Sequence, residues 1–301
     1  MKKYYEKDNQ TIYNCDNLEL LKELESESID LIYCDILYNT GKVFDDYNDN
    51  LGKPGEAIEW YKPRILEMKR VLKKNGSIFL HCNWRLDSYM RILMDEIFGE
   101  ACFRNRIYRR HSKERGFYLN FDSQVDIILY YVKDSHNFTF NEIEGENEKV
   151  LPLYENGYIE GRSNTIKLGE NIIDFKARNK HYLVSEDKLH DLYSQGKIVL
   201  IDNLPYRKTK NNAMGNLWDD DAMLDEYNRN KVADTYDTPK PEAVVERIIK
   251  VCSNENDTIA DFFMGGGTTA VVAKKLNRKG IYCDINKKAC DVTIKKLKEI
   301  Y

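Results

Sequence analysis

This chain has no long hydrophobic run. Nothing in its 301 residues approaches the roughly 20 consecutive apolar positions that a membrane helix requires. The opening "MKKYYEKDNQ" has no apolar stretch of the signal-peptide kind, so the expected location is the cytoplasm. Seven cysteines (15, 34, 82, 102, 252, 283 and 290) form no CxxC pair and no metal-ligand spacing. They predict reduced thiols and no bound metal, with Cys34, Cys82 and Cys283 as small core residues in apolar strand-like runs. Internal repeats and low-complexity tracts are missing too. So is an excess of positive charge: the net charge is −4, which does not advertise a nucleic-acid binder.

Local charge departs from that average. "RNRIYRRHSKERGFY" (104–118) holds six Arg or Lys against one Glu, and "PYRKTKNN" (205–212) holds three basic residues and no acid. Aromatics are interleaved in both. Such runs usually mark solvated loops, yet two on an acidic protein can also build a surface that tracks phosphates. The composition, 42% hydrophobic and 32% charged, is that of a folded globular chain whose length fits one large domain, or one domain carrying a sizeable insertion.

Over residues 1–133 strand-like and helix-like segments alternate. "TIYNC", "IDLIYCD", "SIFLHC" and "VDIILYYVK" read as strands. "NLELLKELES", "GEAIEWYKPRILEMKRVLKKNG" (stopping at Gly76) and "RLDSYMRILMDEIFG" read as helices. This order predicts an α/β fold with a mostly parallel sheet between helices. Residues 134–235 lose the alternation and read as an inserted region with short mixed strands such as "KHYLVS" and "KIVLID". From 236 to 301 the alternation returns with "PEAVVERIIKVC", "DTIADFF", "TTAVVAKKLN", "GIYCDIN" and a closing helix.

The strongest chemical signal is "DTIADFFMGGGTTAVVAKKLNRKGIYCDIN". A strand enters a glycine turn, a helix follows, and the next strand ends in an acid. Gly265, Gly266 and Gly267 permit a close backbone approach, and the helix from Thr268 offers N–H groups and a positive dipole end. Asp284 ends the second strand, where such folds place an acid for ribose hydroxyls. The spacing is not GxGxxG, so a dinucleotide is not favoured. The alternative is a tight structural turn. Earlier, "DILY" (35–38) puts a carboxylate and an aromatic at a strand tip, a grip for a substrate or an ordinary strand-to-loop junction.

"DFFMGGGTTA" resembles the S-adenosylmethionine loop of amino-methylating DNA methyltransferases. "DTPKP" (237–241), "GNLWDDD" (215–221) and "NCDNLELLKEL" resemble further segments of that family, and "DILY" falls where it carries a catalytic Asp-Pro-Pro-Tyr. The catalytic tetrapeptide preceding the cofactor loop resembles the β-class order, which includes type III modification subunits. The resemblance implies a Rossmann-like seven-stranded methyltransferase sheet, with catalytic half 1–133, target-recognition region 134–235 and cofactor half 236–301. It implies S-adenosylmethionine as cofactor, contacted by Asp16, Lys240, Asp261, Phe263, Gly265, Gly267, Thr268 and Asp284. Asp35 would accept one amine N–H, the Ile36 carbonyl the other, and Tyr38 would stack on a base flipped from the duplex. Arg106, Arg109, Arg110, His111, Lys113, Arg207 and Lys208 would meet double-stranded DNA. His81 reads as a satisfied structural histidine, Trp218 as a packing residue.

The resemblance implies methyl transfer to adenine N6, with Asp at position 35 leaning towards adenine. Cytosine N4 remains an alternative. Ile36-Leu37 replace two prolines and their rigidity, which keeps a catalytically impaired DNA-binding or partner subunit open. RNA or a small amine as substrate is a third alternative. A homodimer and a restriction-nuclease partner are expectations of the same resemblance. No Pro-Cys dipeptide of cytosine-C5 methylases is present.

Overall fold

The computed structural model describes residues 2–43, 48–111, 121, 123–142, 144–161, 164–211, 215–220 and 240–300. The chain divides into two compact units. One comprises Met1–Asn141 with Gly215–Tyr301, the other Glu142–Met214. The second is narrower than the insertion expected at 134–235, because 134–141 and 215–220 belong to the larger unit.

The larger unit begins with strands β1 (Tyr5–Lys7) and β2 (Gln10–Asn14), helix α1 (Asn17–Glu23), strand β3 (Ile29–Asp35) and the small pair β4 (Lys42–Val43) and β5 (Asn48–Asp49). Helix α2 (Pro54–Val71), strand β6 (Leu72–Cys82), helix α3 (Asp87–Phe98) and strands β7 (Phe103–Arg110) and β8 (Val125–Val132) follow. The smaller unit contains β9 (Glu144–Pro152), β10 (Tyr154–Asn156), β11 (Thr165–Leu168), β12 (Asn171–Asp174), β13 (Lys180–Tyr182), α4 (Glu186–Ser194), β14 (Ile198–Ile201) and β15 (Leu204–Asn211). The chain then resumes the larger unit with β16 (Leu217–Trp218), α5 (Glu242–Cys252), β17 (Thr258–Asp261), α6 (Thr268–Lys275), β18 (Lys279–Asp284) and α7 (Lys287–Glu299).

Among the described residues the main sheet runs β1-β2-β18-β17-β3-β6-β8-β7-β16. The strands from β2 through β6 are parallel, and β8 runs antiparallel to both its neighbours, β6 and β7. The seven strands from β2 to β7 are the expected mixed core, with short β1 and β16 added at the edges. β3 is buried at Ile29 through Cys34, as a strand covered by helices on both faces must be. α2 turns Ala57, Tyr61, Ile65 and Met68 inward, and α5 Val244, Val245, Ile248 and Ile249, at helical spacing.

Two elements differ from their sequence reading. α2 stops at Val71, not Gly76, because Leu72 is already extended (φ −68°, ψ 134°) and opens β6. Gly76 serves that strand: a Cβ there would lie 2.8 Å from the Asp30 carbonyl oxygen. Residues 103–110, read as the start of a basic loop, form β7. Strand alternation turns Ile107 and Arg109 into the interior.

β17 lies between β18 and β3. Its chain continues to β18 on one side, whereas β3 continues to β6 on the other. Neighbouring parallel strands that send their connections in opposite directions leave a crevice beyond their carboxyl ends, where open α/β sheets bind ligands. The glycine loop and the "DILY" loop flank this crevice.

In the smaller unit β14-β15-β9 form an antiparallel sheet, beside the pairs β11–β12 and β10–β13. Its own core gathers Ile166, Leu168, Ile173, Phe175, Leu189 and Leu192. α4, unread in the sequence, is capped by Ser185.

Candidate active site

The loop after β17 is built around two buried acids. Asp261 is 2% exposed, accepts from the Thr269 hydroxyl at 2.6 Å and from the Phe263 N–H at 3.0 Å, and is pushed by burial up to about 7. It was expected among the cofactor contacts, but it folds the loop from beneath. Asp284 accepts from the Gly265 N–H at 2.9 Å and the Asn286 N–H at 2.8 Å, and burial raises its pKa too. A carboxylate has about four lone-pair positions, so Asp284 keeps acceptor capacity for hydroxyls. Gly267 has φ +78°, and a Cβ would sit 2.3 Å from Thr293 Oγ1. Only glycine fits that start of α6.

Asp16 caps α1 by accepting from the Leu18 N–H and pairs with Arg64 at 2.8 Å. The Arg64 guanidinium stacks 3.5 Å over the Trp60 ring, and Trp60 and Tyr61 each contact Phe263 at 6.2 Å between ring centres. The Asn17 side-chain amide donates to the Phe262 carbonyl at 2.9 Å. A half-buried aromatic, two partly accessible carboxylates, a glycine turn and a helix start therefore share one cluster. This donor set fits a cofactor with an adenine, ribose hydroxyls and a positive sulfonium.

Asp35 stands at the end of β3, level with His81 on β6. Its Oδ2 meets Lys240 Nζ at 2.8 Å, and its Oδ1 accepts from the Tyr38 hydroxyl at 3.0 Å. Lys240 also lies 5.1 Å from the Tyr38 ring centre, and its carbonyl accepts from the Thr268 hydroxyl at 3.3 Å. Lys240 thus bridges the two loops. The Ile36 N–H donates to the His81 carbonyl at 3.1 Å, and the Leu37 carbonyl accepts from the Tyr61 hydroxyl at 2.9 Å. The peptide that carries the Ile36 carbonyl is held on both sides by bonds, the first of which a proline at 36 could not make.

Behind Asp35 lies a buried polar layer. His81 is fully buried, with Nδ1 2.8 Å from the Tyr33 hydroxyl and 4.0 Å from Asp35 Oδ1, and Nε2 3.3 Å from Asp126 Oδ2. Asp126 also accepts from Arg109 at 3.0 Å, and the Tyr38 hydroxyl, whose proton goes to Asp35, lies 3.4 Å from it. Burial alone would raise its pKa. The His81 hydrogen bond and the nearby cations, Lys240 among them, instead hold it well below the usual carboxylate range. Burial and the carboxylates of Asp35 and Asp126 keep the Tyr38 phenol protonated, far above its ordinary value.

Of the basic residues proposed for DNA, Arg109 is corrected. It is fully buried in its pair with Asp126 and cannot meet a phosphate. Arg106 is partly exposed and paired with Asp87 at 3.3 Å. Arg110 and His111 are half-buried at the end of β7, and Lys113 lies outside the described residues. Arg207 and Lys208 belong to β15 of the smaller unit. Of "DTPKP", only Lys240 and Pro241 are described. Trp218 is buried, as its packing role predicts. Sequence reasoning missed Tyr33, Trp60, Tyr61, Arg64 and Asp126. One signal was available: a lone acid inside the apolar run "VDIILYYV" must have a buried partner.

The family model N6_N4_Mtase, DNA methylase, matches residues 29–296. This chain is an amino-DNA methyltransferase of the N6/N4 family. The family uses S-adenosylmethionine, which the cluster around the glycine loop suits, and its substrate is DNA. The chain is 27% identical over 288 residues to the type II methyltransferase M.HpaI of Haemophilus parainfluenzae, covering 94% of this chain and 73% of that one. It is 28% identical over 291 residues to the DNA adenine methyltransferase YhdJ of Escherichia coli K12, covering 95% and 82%. The crystal structure of the M1.HpyAVI–SAM complex has the same fold, with a TM-score of 0.54 at 19% identity over 96% of this chain and 98% of that one.

Proposed function

We propose that this methyltransferase acts on adenine N6 in duplex DNA, flipping the base into the crevice, with residues 142–214 as the core of its target-recognition region. One observation carries the reading. Asp35, an acid that only accepts when ionised, ends β3 at the mouth of the crevice between the two loops. The adenine name of the YhdJ relative agrees with it.

The cofactor supplies an electrophilic methyl carried on a sulfonium. Everything else falls to the chain. An exocyclic amine is a poor nucleophile because its lone pair is delocalised into the ring. Asp35 accepts one N–H and the Ile36 carbonyl the other, which favours a pyramidal nitrogen with a directed lone pair. Lys240 and Tyr38 each occupy one position on an Asp35 oxygen and leave others for the amine. Tyr38, fixed through its hydroxyl, presents its ring to the base. Lys240 fixes the carboxylate and suits the carboxyl end of the cofactor. The catalysis is positioning and preorganised electrostatics. The pinned Ile36–Leu37 backbone supports an active enzyme over a silent subunit, since hydrogen bonds hold what prolines would otherwise stiffen.

The test is nucleoside mass spectrometry after incubation with S-adenosylmethionine and unmethylated genomic DNA. N6-methyladenine is expected, with Asp35→Ala lowering the rate about 100- to 1,000-fold. N4-methylcytosine would overturn the base, and no methylated nucleoside despite cofactor binding would overturn the activity.

A further inference from the structure

We propose that Trp84 is a stacking residue for the DNA substrate: its ring enters the gap that the flipped base leaves in the duplex and lies on the unpaired partner base, with Arg85 beside it. This deepens the base-flipping reading above and rests on it.

Strand register places the ring. Asp35 on β3 is level with His81 on β6, His81 with Ile128 on β8, and Ile128 with Ile107 on β7. Trp84 and Arg110 each lie three positions past that line, at the carboxyl ends of β6 and β7. At about 3.3 Å per residue they stand no more than roughly 10 Å above the level of the catalytic carboxylate, on the rim of its crevice. The turn that carries Trp84 is well anchored. Asn83 is buried. Its carbonyl accepts from the Leu86 N–H at 3.2 Å and the Asp87 N–H at 3.1 Å, and its side-chain oxygen from the Arg85 N–H at 3.0 Å. Leu86 is buried too, as is Asp87, which pairs with Arg106 at 3.3 Å. Between these anchors Trp84 and Arg85 project into solvent.

One exposed apolar side chain alone means little. Three further features give this one a partner. Trp84 is 57% exposed, whereas Trp60 is half-buried in the cofactor cluster and Trp218 is buried. The Arg85 guanidinium lies 4.5 Å from the Trp84 ring centre, so a cation and a flat ring already form one unit. Arg85 and Arg110 also give this rim positive charge on a chain whose net charge is −4, as a phosphate-lined partner requires. Duplex DNA is the partner that fits all three. Flipping a base breaks one pair and its stacking contacts, and leaves the opposite base unpaired inside the helix. A ring entering that gap restores stacking. Because every base has a π-face, it does so without regard to sequence. The height of the rim suits the division of labour: the reacting amine reaches the crevice floor at Asp35 while the stack it left meets Trp84 above.

The test uses a duplex carrying the site that sequencing of methylated DNA maps, in two forms: the target base correctly paired, or opposite a mismatched base, which makes flipping easier. Single-turnover methylation by Trp84→Ala should fall about 10- to 100-fold below wild type on the paired duplex, and recover to within about threefold of wild type on the mismatched one, where flipping no longer limits the rate. Trp84→Phe, which keeps a flat ring, should restore most of the rate on the paired duplex. Melting temperature and S-adenosylmethionine affinity should be unchanged, because the side chain is exposed and outside the cofactor cluster. A role in packing or in phosphate contact would slow Trp84→Ala equally on both duplexes. That result, or a wild-type rate on the paired duplex, would overturn the proposal and leave the methyltransferase reading standing. So would a slow variant whose defect follows the loss of a dimer in sedimentation, which would assign the ring to a subunit interface. A wild-type protein inert on every DNA amine would overturn both readings together.

Discussion

At the scale of single residues, the missing prolines of "DILY" matter less than the bonds that replace them. Ile36 donates an N–H that extends the β3–β6 ladder by one step, and Leu37 offers its carbonyl to Tyr61. Ile36→Pro should therefore lose activity through the loss of that donor. Leu37→Pro, which keeps the carbonyl, should lose less. Initial methylation rates of the two variants check this order. Asp261 yields a pH prediction. Burial raises its folded pKa to about 7, so the fold favours the protonated form. That contribution is fully present below the unfolded value near 4 and is lost as pH rises through about 7. Asp261→Asn keeps an oxygen for the Phe263 N–H, with its amide NH2 turned to donate to the Thr269 hydroxyl oxygen, and should flatten the decline in melting temperature between pH 5 and 8 on the neutral side. Asp126 has the opposite sign: its contribution is present above the ordinary carboxylate range and lost only in stronger acid. Asp35 and Tyr38 were legible in the sequence because a motif marks them. The layer behind them was not, because His81, Asp126 and Tyr33 come from three strands and meet only through register.

At the scale of elements, the glycine loop reads directly from sequence and β7 does not. The loop's signal is local: strand, three glycines, helix, strand, acid. Gly267→Ala should cost roughly 1–2 kcal/mol for the left-handed backbone alone, before the contact with Thr293 is counted. A lower melting temperature and weaker S-adenosylmethionine binding by calorimetry are the expected results. β7 was hidden because four arginines in eight residues mimic a solvated loop, and only the pairing with β8 shows which of them turn inward. Arg109→Leu should accordingly destabilise the fold by about 3–5 kcal/mol, because it leaves Asp126 buried without its cation. Arg110→Ala should leave the melting temperature nearly unchanged and reduce the salt dependence of DNA binding. Thermal melts and binding titrations across salt separate the two.

At the scale of the molecule, the fold class and the cofactor loop were in the sequence pattern, whereas the strand order was not. Parallel neighbours are set by crossover connections that leave no local trace. The compact unit Glu142–Met214 lies within the insertion expected at 134–235. Each unit has a core of its own. Replacing 142–214 by a short flexible linker should therefore leave S-adenosylmethionine binding intact and abolish site-specific methylation, read by calorimetry and by sequencing of treated DNA. The same interleaving has a consequence for how the chain comes to be folded. β17 fills the gap between β18 and β3, and the Thr258 N–H that enters it is bonded to Asp30, 228 residues earlier. The middle of the sheet thus joins segments more than 200 residues apart in the chain. Until β17 arrives, β3 stands as an open edge, and so wide a separation between paired strands predicts slow folding of the strand that completes both core and crevice.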